Sequence, residues 1–141
     1  AYFLSVVRAL TPGRVALVMG CPGECDPSPR PLLTRAGEQG AELVVLTAAD
    51  SRGEPLEGIL RDMLQGAACP GAIRCVPDRR AAVAAALAWA RPGDAVVIAG
   101  RGAEAQGCRP IGNRVHSGWD REQGKREGEG ITSGGEGLVR K

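Results

Sequence analysis

The sequence has little lysine, little histidine and few aromatic rings. Only Lys125 and Lys141 are present, both close to the end of the chain, and His116 is the single histidine. The first 124 residues therefore offer neither a lysine for a phosphate loop nor one for a Schiff base, and the pattern GxxxxGK[ST] does not occur. Aromatics make up 3% of the chain, too few to furnish stacking platforms for single-stranded nucleic acid. A strong basic field is missing too. Residues 1–106 carry 11 arginines against 11 acidic residues, and the net +2 comes from residues 107–141; no direct nucleic-acid binding is expected. Long hydrophobic runs are absent. The longest, Val15–Met19, Leu43–Leu46 and Ala95–Ala99, fall far short of the roughly 20 apolar residues of a membrane helix, so no membrane association is expected. Ala1 to Leu10 lacks the basic start and cleavage site of a signal peptide. A start at Ala1 rather than Met leads to the expectation of a fragment of a longer chain. The five cysteines (Cys21, Cys25, Cys69, Cys75 and Cys108) are odd in number and unevenly spaced, which points to a reducing compartment rather than a disulfide framework.

What is there is an alternation. Residues 1–10 have helical apolar spacing and are stopped by Thr11-Pro12-Gly13. Arg14–Met19 reads as a strand, and Gly20–Pro31 as a Gly/Pro-rich loop. A helix is predicted from about Leu32 to Gln39, closed by Gly40, and Glu42–Thr47 is a second strand. Pro55 suits a helix start, with Leu56, Ile59, Leu60, Met63 and Leu64 as its apolar stripe. Ala72–Val76 is a third strand. Asp78 is placed to cap a helix over Arg79–Ala90, and Ala95–Ala99 is a fourth strand ending in Gly100-Arg101-Gly102. Strands alternating with helices across short loops imply βαβ units and a mostly parallel sheet. Runs such as LVVL and AVVIA suit strands covered on both faces. The expected fold is thus α/β, a Rossmann-like three-layer sandwich over residues 13–123. Residues 1–12 would be the end of a preceding helix or linker. Arg109–His116, with Gly112-Asn113 as a turn, offers a hairpin or lone last strand, and the Gly-rich stretch 124–141 is expected to be a disordered tail.

In an open parallel sheet, ligands bind at the carboxyl ends of the strands. Three loops leave such ends here. In GCPGECDPSPR, Gly20 and Gly23 would let an anion approach backbone N–H groups. Glu24 and Asp26 are suited to a cation and Arg30 to an anion, although a Gly/Pro turn with solvated charges uses the same residues. In TAADSRGEP, Asp50 and Arg52 directly follow a strand. Arg52 has the fork that grips a carboxylate, and a capped turn with a solvated arginine would read identically. In AGRGAEAQ, Gly100 would allow close approach and Glu104 could take an ammonium group. Cys21 and Cys25 lack two further ligands at zinc spacing, so no metal site is expected. His116 has no evident partner, and no nucleophile–base pair can be assembled, so no catalytic residue is assigned.

Taken in order, these segments resemble the C-terminal domain of the Mur ligases, in particular the branch that adds the third amino acid to the muramyl peptide. That family reads GRxxxVFGCGGDRDxGKRP, TSDNPR, a helix ending DIxxG, a DR-type helix start, ARPGDVVLIAGKGHE and a stretch near DDRE. Here the segments are GRVALVMGCPGECDPSPRP, TAADSRGEP, ILRDMLQG, VPDRRAAVAAALAWARPGDAVVIAGRGAE and IGNRVHSGWDRE, with order and spacing in agreement from about Gly13 to Glu122. The resemblance implies an ATP-dependent ligase of the bacterial cytoplasm. Its phosphate loop and Mg2+ ligands lie in a central domain, while the C-terminal domain holds the incoming, diaminopimelate-like amino acid with some contacts to ATP. It implies Arg52 on the amino-acid carboxylate, Asp50 at the asparagine position of the DNPR motif, and Gly100 and Glu104 facing the amino end. Asp26 and Arg30 match weaker contacts. Family positions have changed here: Cys25 replaces an arginine, Ala49 an aspartate, Asp50 an asparagine, Arg101 a lysine and Ala103 a histidine. The alternative reading is a non-catalytic structural or interaction domain derived from such a ligase, for instance in a plastid stroma.

Overall fold

Four apolar segments line up as parallel strands in the computed structural model, which describes residues 2–100, 130–133 and 136–140. Strands β1 (Val15–Met19), β2 (Leu43–Leu46), β3 (Ile73–Cys75) and β4 (Ala95–Ile98) lie in the order β3-β2-β1-β4. β1 is central, paired with β2 from Ala16↔Leu43 to Met19↔Leu46 and with β4 from Val15↔Ala95 to Val18↔Ile98. Every residue of β1 and β2 is buried, because helices cover both faces and neither face of these strands meets water.

The two-residue period of the strands sorts their side chains into two layers. Val15, Leu17, Met19, Val44, Leu46 and Val97 point to one face, where α1 (Tyr2–Leu10), α2 (Pro29–Gly40) and α3 (Leu56–Leu64) close over them with Leu4, Val7, Ile59, Leu60 and Met63. Ala16, Val18, Leu43, Val45 and Val96 point to the other, against Ala82, Val83, Ala86 and Ala90 on or beside α4 (Arg79–Trp89). This is the expected three-layer α/β arrangement. Small residues let the layers approach. A side chain on Gly37 of α2 would collide with Leu17 of the sheet, and one on Gly66 with the Pro31 carbonyl.

Element ends follow local chemistry. α2 begins at Pro29, three residues earlier than the sequence suggests, because prolines 29 and 31 sit in the first turn, where a missing N–H is harmless. α4 is capped as expected: the Asp78 side chain accepts from Ala81 N–H at 2.7 Å. At the amino-terminal edge of the sheet, Asp94 accepts from the backbone N–H groups of Arg14 and Arg91 and from the Arg14 guanidinium. That guanidinium also lies 3.9 Å from the Trp89 ring centre, a cation–π seat. The Arg14 contacts, led by the guanidinium hydrogen bond, hold the Asp94 carboxyl far below the usual carboxylate range.

Within the stretch expected to be a disordered tail, two segments are strands: β5 (Gly130–Ser133) and β6 (Glu136–Arg140). β6 pairs antiparallel with β4, and β5 with β6, extending the sheet to six strands. The strand or hairpin expected at Arg109–His116 lies outside the described residues.

Packing of α3 on the sheet should dominate stability. Ile59→Ala, at a side chain with no exposed surface, should cost about 3 kcal/mol in urea denaturation. Leu32→Ala, on the exposed face of α2, should change stability by less than about 0.5 kcal/mol.

Candidate functional site at the carboxyl edge of the sheet

The chain runs outward from β1 through β2 to β3 and then returns to place β4 on the other side of β1. At such a reversal an open α/β sheet has its binding crevice, here outside the carboxyl ends of β1 and β4. Backbones crowd there. Gly100 has φ +93°, and a side chain on it would run into the Gly20 carbonyl; one on Gly20 would run into the Thr47 carbonyl. Glycine at these positions is a requirement of close approach as well as of the positive φ at Gly100.

The loop after β1 and the loop after β2 are bound into one unit. Gly23 N–H donates to the Asp50 carbonyl at 2.9 Å, Glu24 N–H to the Glu54 carboxylate at 2.9 Å and Gly53 N–H to the Glu24 carboxylate at 3.2 Å. Both loops are tightly turned. Glu24 and Arg52 adopt left-handed backbone, with φ of 53° and 51°, a conformation uncommon outside glycine and asparagine. At Arg52 the turn is supported by its own N–H, which donates to Asp50 Oδ1 at 3.2 Å, the Asx-type bond that aspartate supplies.

Arg30 joins the two loops from beneath. Its side chain is 3% exposed. Nη1 and Nη2 make a two-point pair with the Glu54 carboxylate at 2.6 and 2.7 Å, Nη1 reaches Asp62 of α3 at 2.9 Å, and Nη2 donates to the Pro22 carbonyl at 3.2 Å. The hydrogen bond to Glu54 is the largest influence holding the guanidinium in its charged form, against burial. In return, Arg30 and then the Glu24 N–H hold the Glu54 carboxyl down to about 2. The sequence suggested Arg30 as a weak ligand contact. In the fold its hydrogen bonds are directed to these loops and to α3, so its geometry is that of an internal clamp.

Of the other sequence candidates, Asp50, Arg52 and Gly100 stand at the carboxyl edge. Arg52 is exposed, and its Nη1 lies 3.6 Å from the Cys25 thiol, which places Cys25 and Arg52 side by side across the loop pair. Asp26 is exposed and turned to its own loop, accepting from the N–H and hydroxyl of Ser28; these bonds, the hydroxyl first, lower its carboxyl. Glu104 and His116 lie outside the described residues. Cys21 is buried, and burial pushes its thiol up despite nearby Arg30, so it is a packing residue. Among the described residues no group of three or more His, Cys, Asp and Glu side chains converges as metal ligands would. Nor is any helix there long and apolar enough to cross a membrane. The residue missed in the sequence is Arg79. It caps the Ala48 and Ala99 carbonyls, each at 3.3 Å. Its sequence signals are its place directly after the helix cap Asp78, as the first residue of α4, and the DR-type helix start.

A parallel sheet in three layers, with Gly-rich and charged loops gathered at its carboxyl edge, defines a Rossmann-like α/β domain. Comparison with known proteins sharpens that class. Residues 1–102 match the family profile described as Mur ligase, glutamate ligase domain, and the chain belongs to this family as a Mur ligase C-terminal domain. It is 39% identical over 113 residues to the UDP-N-acetylmuramoyl-L-alanyl-D-glutamate–2,6-diaminopimelate ligase of Geobacillus kaustophilus, covering 79% of this chain and 23% of that protein. To the UDP-N-acetylmuramyl-tripeptide synthetase of Roseiflexus sp. it is 38% identical over 104 residues, 70% of this chain and 20% of that one. A solved structure of a UDP-N-acetylmuramoyl-L-alanyl-D-glutamate–2,6-diaminopimelate ligase superposes with a TM-score of 0.66 at 37% identity, over 71% of this chain and 21% of the other. The chain therefore spans about a fifth of the length of these relatives.

The Arg30–Glu54 pair should mark the pH profile of the fold. The Glu54 carboxyl is depressed in the folded state, from 4.5 to about 2. Its contribution is therefore complete above about pH 4.5 and is lost as pH falls through about 2. Urea midpoints measured from pH 6 to pH 2 should fall across that window, and in Glu54→Gln the fall should be shallower from a lower starting stability.

Proposed function

We propose that this chain is the amino-acid-binding domain of an ATP-dependent muramyl-peptide ligase that adds the third, diaminopimelate-like residue to UDP-MurNAc-dipeptide in peptidoglycan synthesis. The observation that supports it is the placement of Arg52. A strongly turned loop, pinned by Asp50 and by the Arg30 clamp, presents its guanidinium outward at the carboxyl edge of the sheet. A guanidinium there can receive a substrate carboxylate by a two-point pair. Asp50 beside it and Gly100 across the crevice form the walls, and Glu104 is proposed to meet the ammonium end. Asp26 is proposed as a peripheral contact. The left-handed backbone at Arg52 has a physical use in this reading: the turn fixes the base of a long side chain, so less conformational freedom is lost on binding.

ATP and Mg2+ supply carboxylate activation in such a ligase. The described residues include no convergent set of metal-ligating side chains, and the sequence has no phosphate-loop motif, so both are proposed to be held by a central domain of the longer protein. That domain is the proposed partner, and the cytoplasm the proposed location. This domain's part is to bind and orient the amine-bearing amino acid, which raises its effective concentration at the activated carboxylate.

One observation favours a second reading, a non-catalytic interaction domain derived from such a ligase. Cys25 stands at an arginine position of the family motif and lies against Arg52, where a thiol cannot form a two-point ion pair with a substrate carboxylate. Calorimetric titration of the chain with meso-2,6-diaminopimelate separates the two. Binding that weakens at least about tenfold in Arg52→Ala supports the ligase reading. No heat from a chain shown to be folded by circular dichroism, or equal binding by Arg52→Ala, favours the second.

A further inference from the structure

The last bonds of the sheet ladder at its carboxyl edge are Thr47 N–H to the Met19 carbonyl, at 2.9 Å, and Ala99 N–H to the Val18 carbonyl, at 2.8 Å. Beyond them stand the loop after β2 and, on the other side of β1, Gly100. These two strands are not neighbours, since β1 lies between them, and past Gly20 the β1 chain turns away. The regular hydrogen bonds of a sheet therefore do not fix the distance from the β2 exit to the β4 exit. Yet Asp50 and Arg52 stand on the loop after β2 and Gly100 just past the end of β4, so that distance is the width of the crevice.

The Gly20 backbone packs against both exits, and the Arg79 side chain hydrogen-bonds to both. Arg79 Nη1 donates to the Ala48 carbonyl and Nη2 to the Ala99 carbonyl, both at 3.3 Å. Arg79 is the first residue of α4, and the Asp78 cap fixes that helix end. The Pro77 carbonyl, just before the cap, accepts from Ala48 N–H and from the Thr47 hydroxyl. The guanidinium thus projects from a rigid base, half-buried, and its planar fork holds two acceptors at a set spacing as a flexible ammonium does not. Arg30 ties the tip of the β2 loop to the β1 loop from the α3 side; Arg79 ties the base of the same loop to the β4 exit from the α4 side.

We propose that Arg79 is a positioning residue of the crevice, setting the separation between the Asp50–Arg52 loop and Gly100 so that both ends of one amino acid can be held at once. The consequence for binding rests on the reading of this crevice as the amino-acid site; the geometric consequence does not. Two measurements on the 141-residue chain keep them apart. In calorimetry with meso-2,6-diaminopimelate, Arg79→Gln should weaken binding about tenfold while its Tm stays within about 2 °C of wild type. Arg79→Lys, which can reach one carbonyl but not both, should recover only part of the loss. Binding by Arg79→Gln equal to wild type, full recovery in Arg79→Lys, or a loss explained by unfolding would overturn the proposal. If wild type itself does not bind, the amino-acid reading fails and backbone amide spectra decide the geometry. The amides of Ala49–Arg52 and of Gly100 should shift together in Arg79→Gln while those of Val44 and Val96 stay in place. A shift confined to one loop would refute the tie.

Discussion

A guanidinium held out of water has to be neutralised where it sits, and in this domain the arrangement of the functional loops follows from that constraint. Arg30 lies beneath the loops after β1 and β2 with 3% of its side chain exposed. Leaving such a charge unpaired would cost several kcal/mol. Glu54 from one loop, Asp62 from α3 and the Pro22 carbonyl from the other loop satisfy it together. Two flexible, Gly- and Pro-containing segments are thereby held as one body, and α3 is joined to it. The left-handed turns at Glu24 and Arg52 are sustained because the surroundings are fixed on several sides.

The crevice above β1 and β4 is defined by three kinds of contact acting at different depths. Glycines 20 and 100 bring backbone to backbone at the strand ends. Arg30 and Glu54 close the loops on the α3 side, and Arg79 spans the strand exits on the α4 side. The opposite edge of the sheet is built differently. Arg14, Trp89 and Asp94 form a compact, mutually satisfied cluster there. Charges at that edge are turned inward to hold the fold, whereas Arg52 at the carboxyl edge is exposed.

The domain spans about a fifth of its Mur ligase relatives, and its surface reads accordingly. It brings Asp50, Arg52 and Gly100 to one edge, and no metal-ligand cluster forms among the described residues. A division of labour between a domain that activates and a domain that positions the nucleophile suits that content. Cys25 beside Arg52 is the point at which this chain departs most from the family motif.

The α/β class and the order of its elements were legible because β1, β2 and β4 are short, unbroken apolar runs and α3 and α4 carry clear start signals at Pro55 and Asp78. Local chemistry decides such features, and the sequence displays it. Asp50, Arg52 and Gly100 were legible as edge residues for the same reason: each follows a strand. The hairpin of β5 and β6 was not, since the stretch that holds it is Gly-rich and polar. Arg30 and Arg79 were not legible in their roles. Glu54 lies 24 residues from Arg30, and Ala48 and Ala99 lie 31 and 20 residues from Arg79. The sequence by itself determined β1 to β4, the helices and which loops meet at the sheet's edge. Which arginine is spent on the fold and which stays exposed was decided only when the tertiary structure brought distant carboxylates and carbonyls within hydrogen-bond reach, because a charge takes its role from the partners around it.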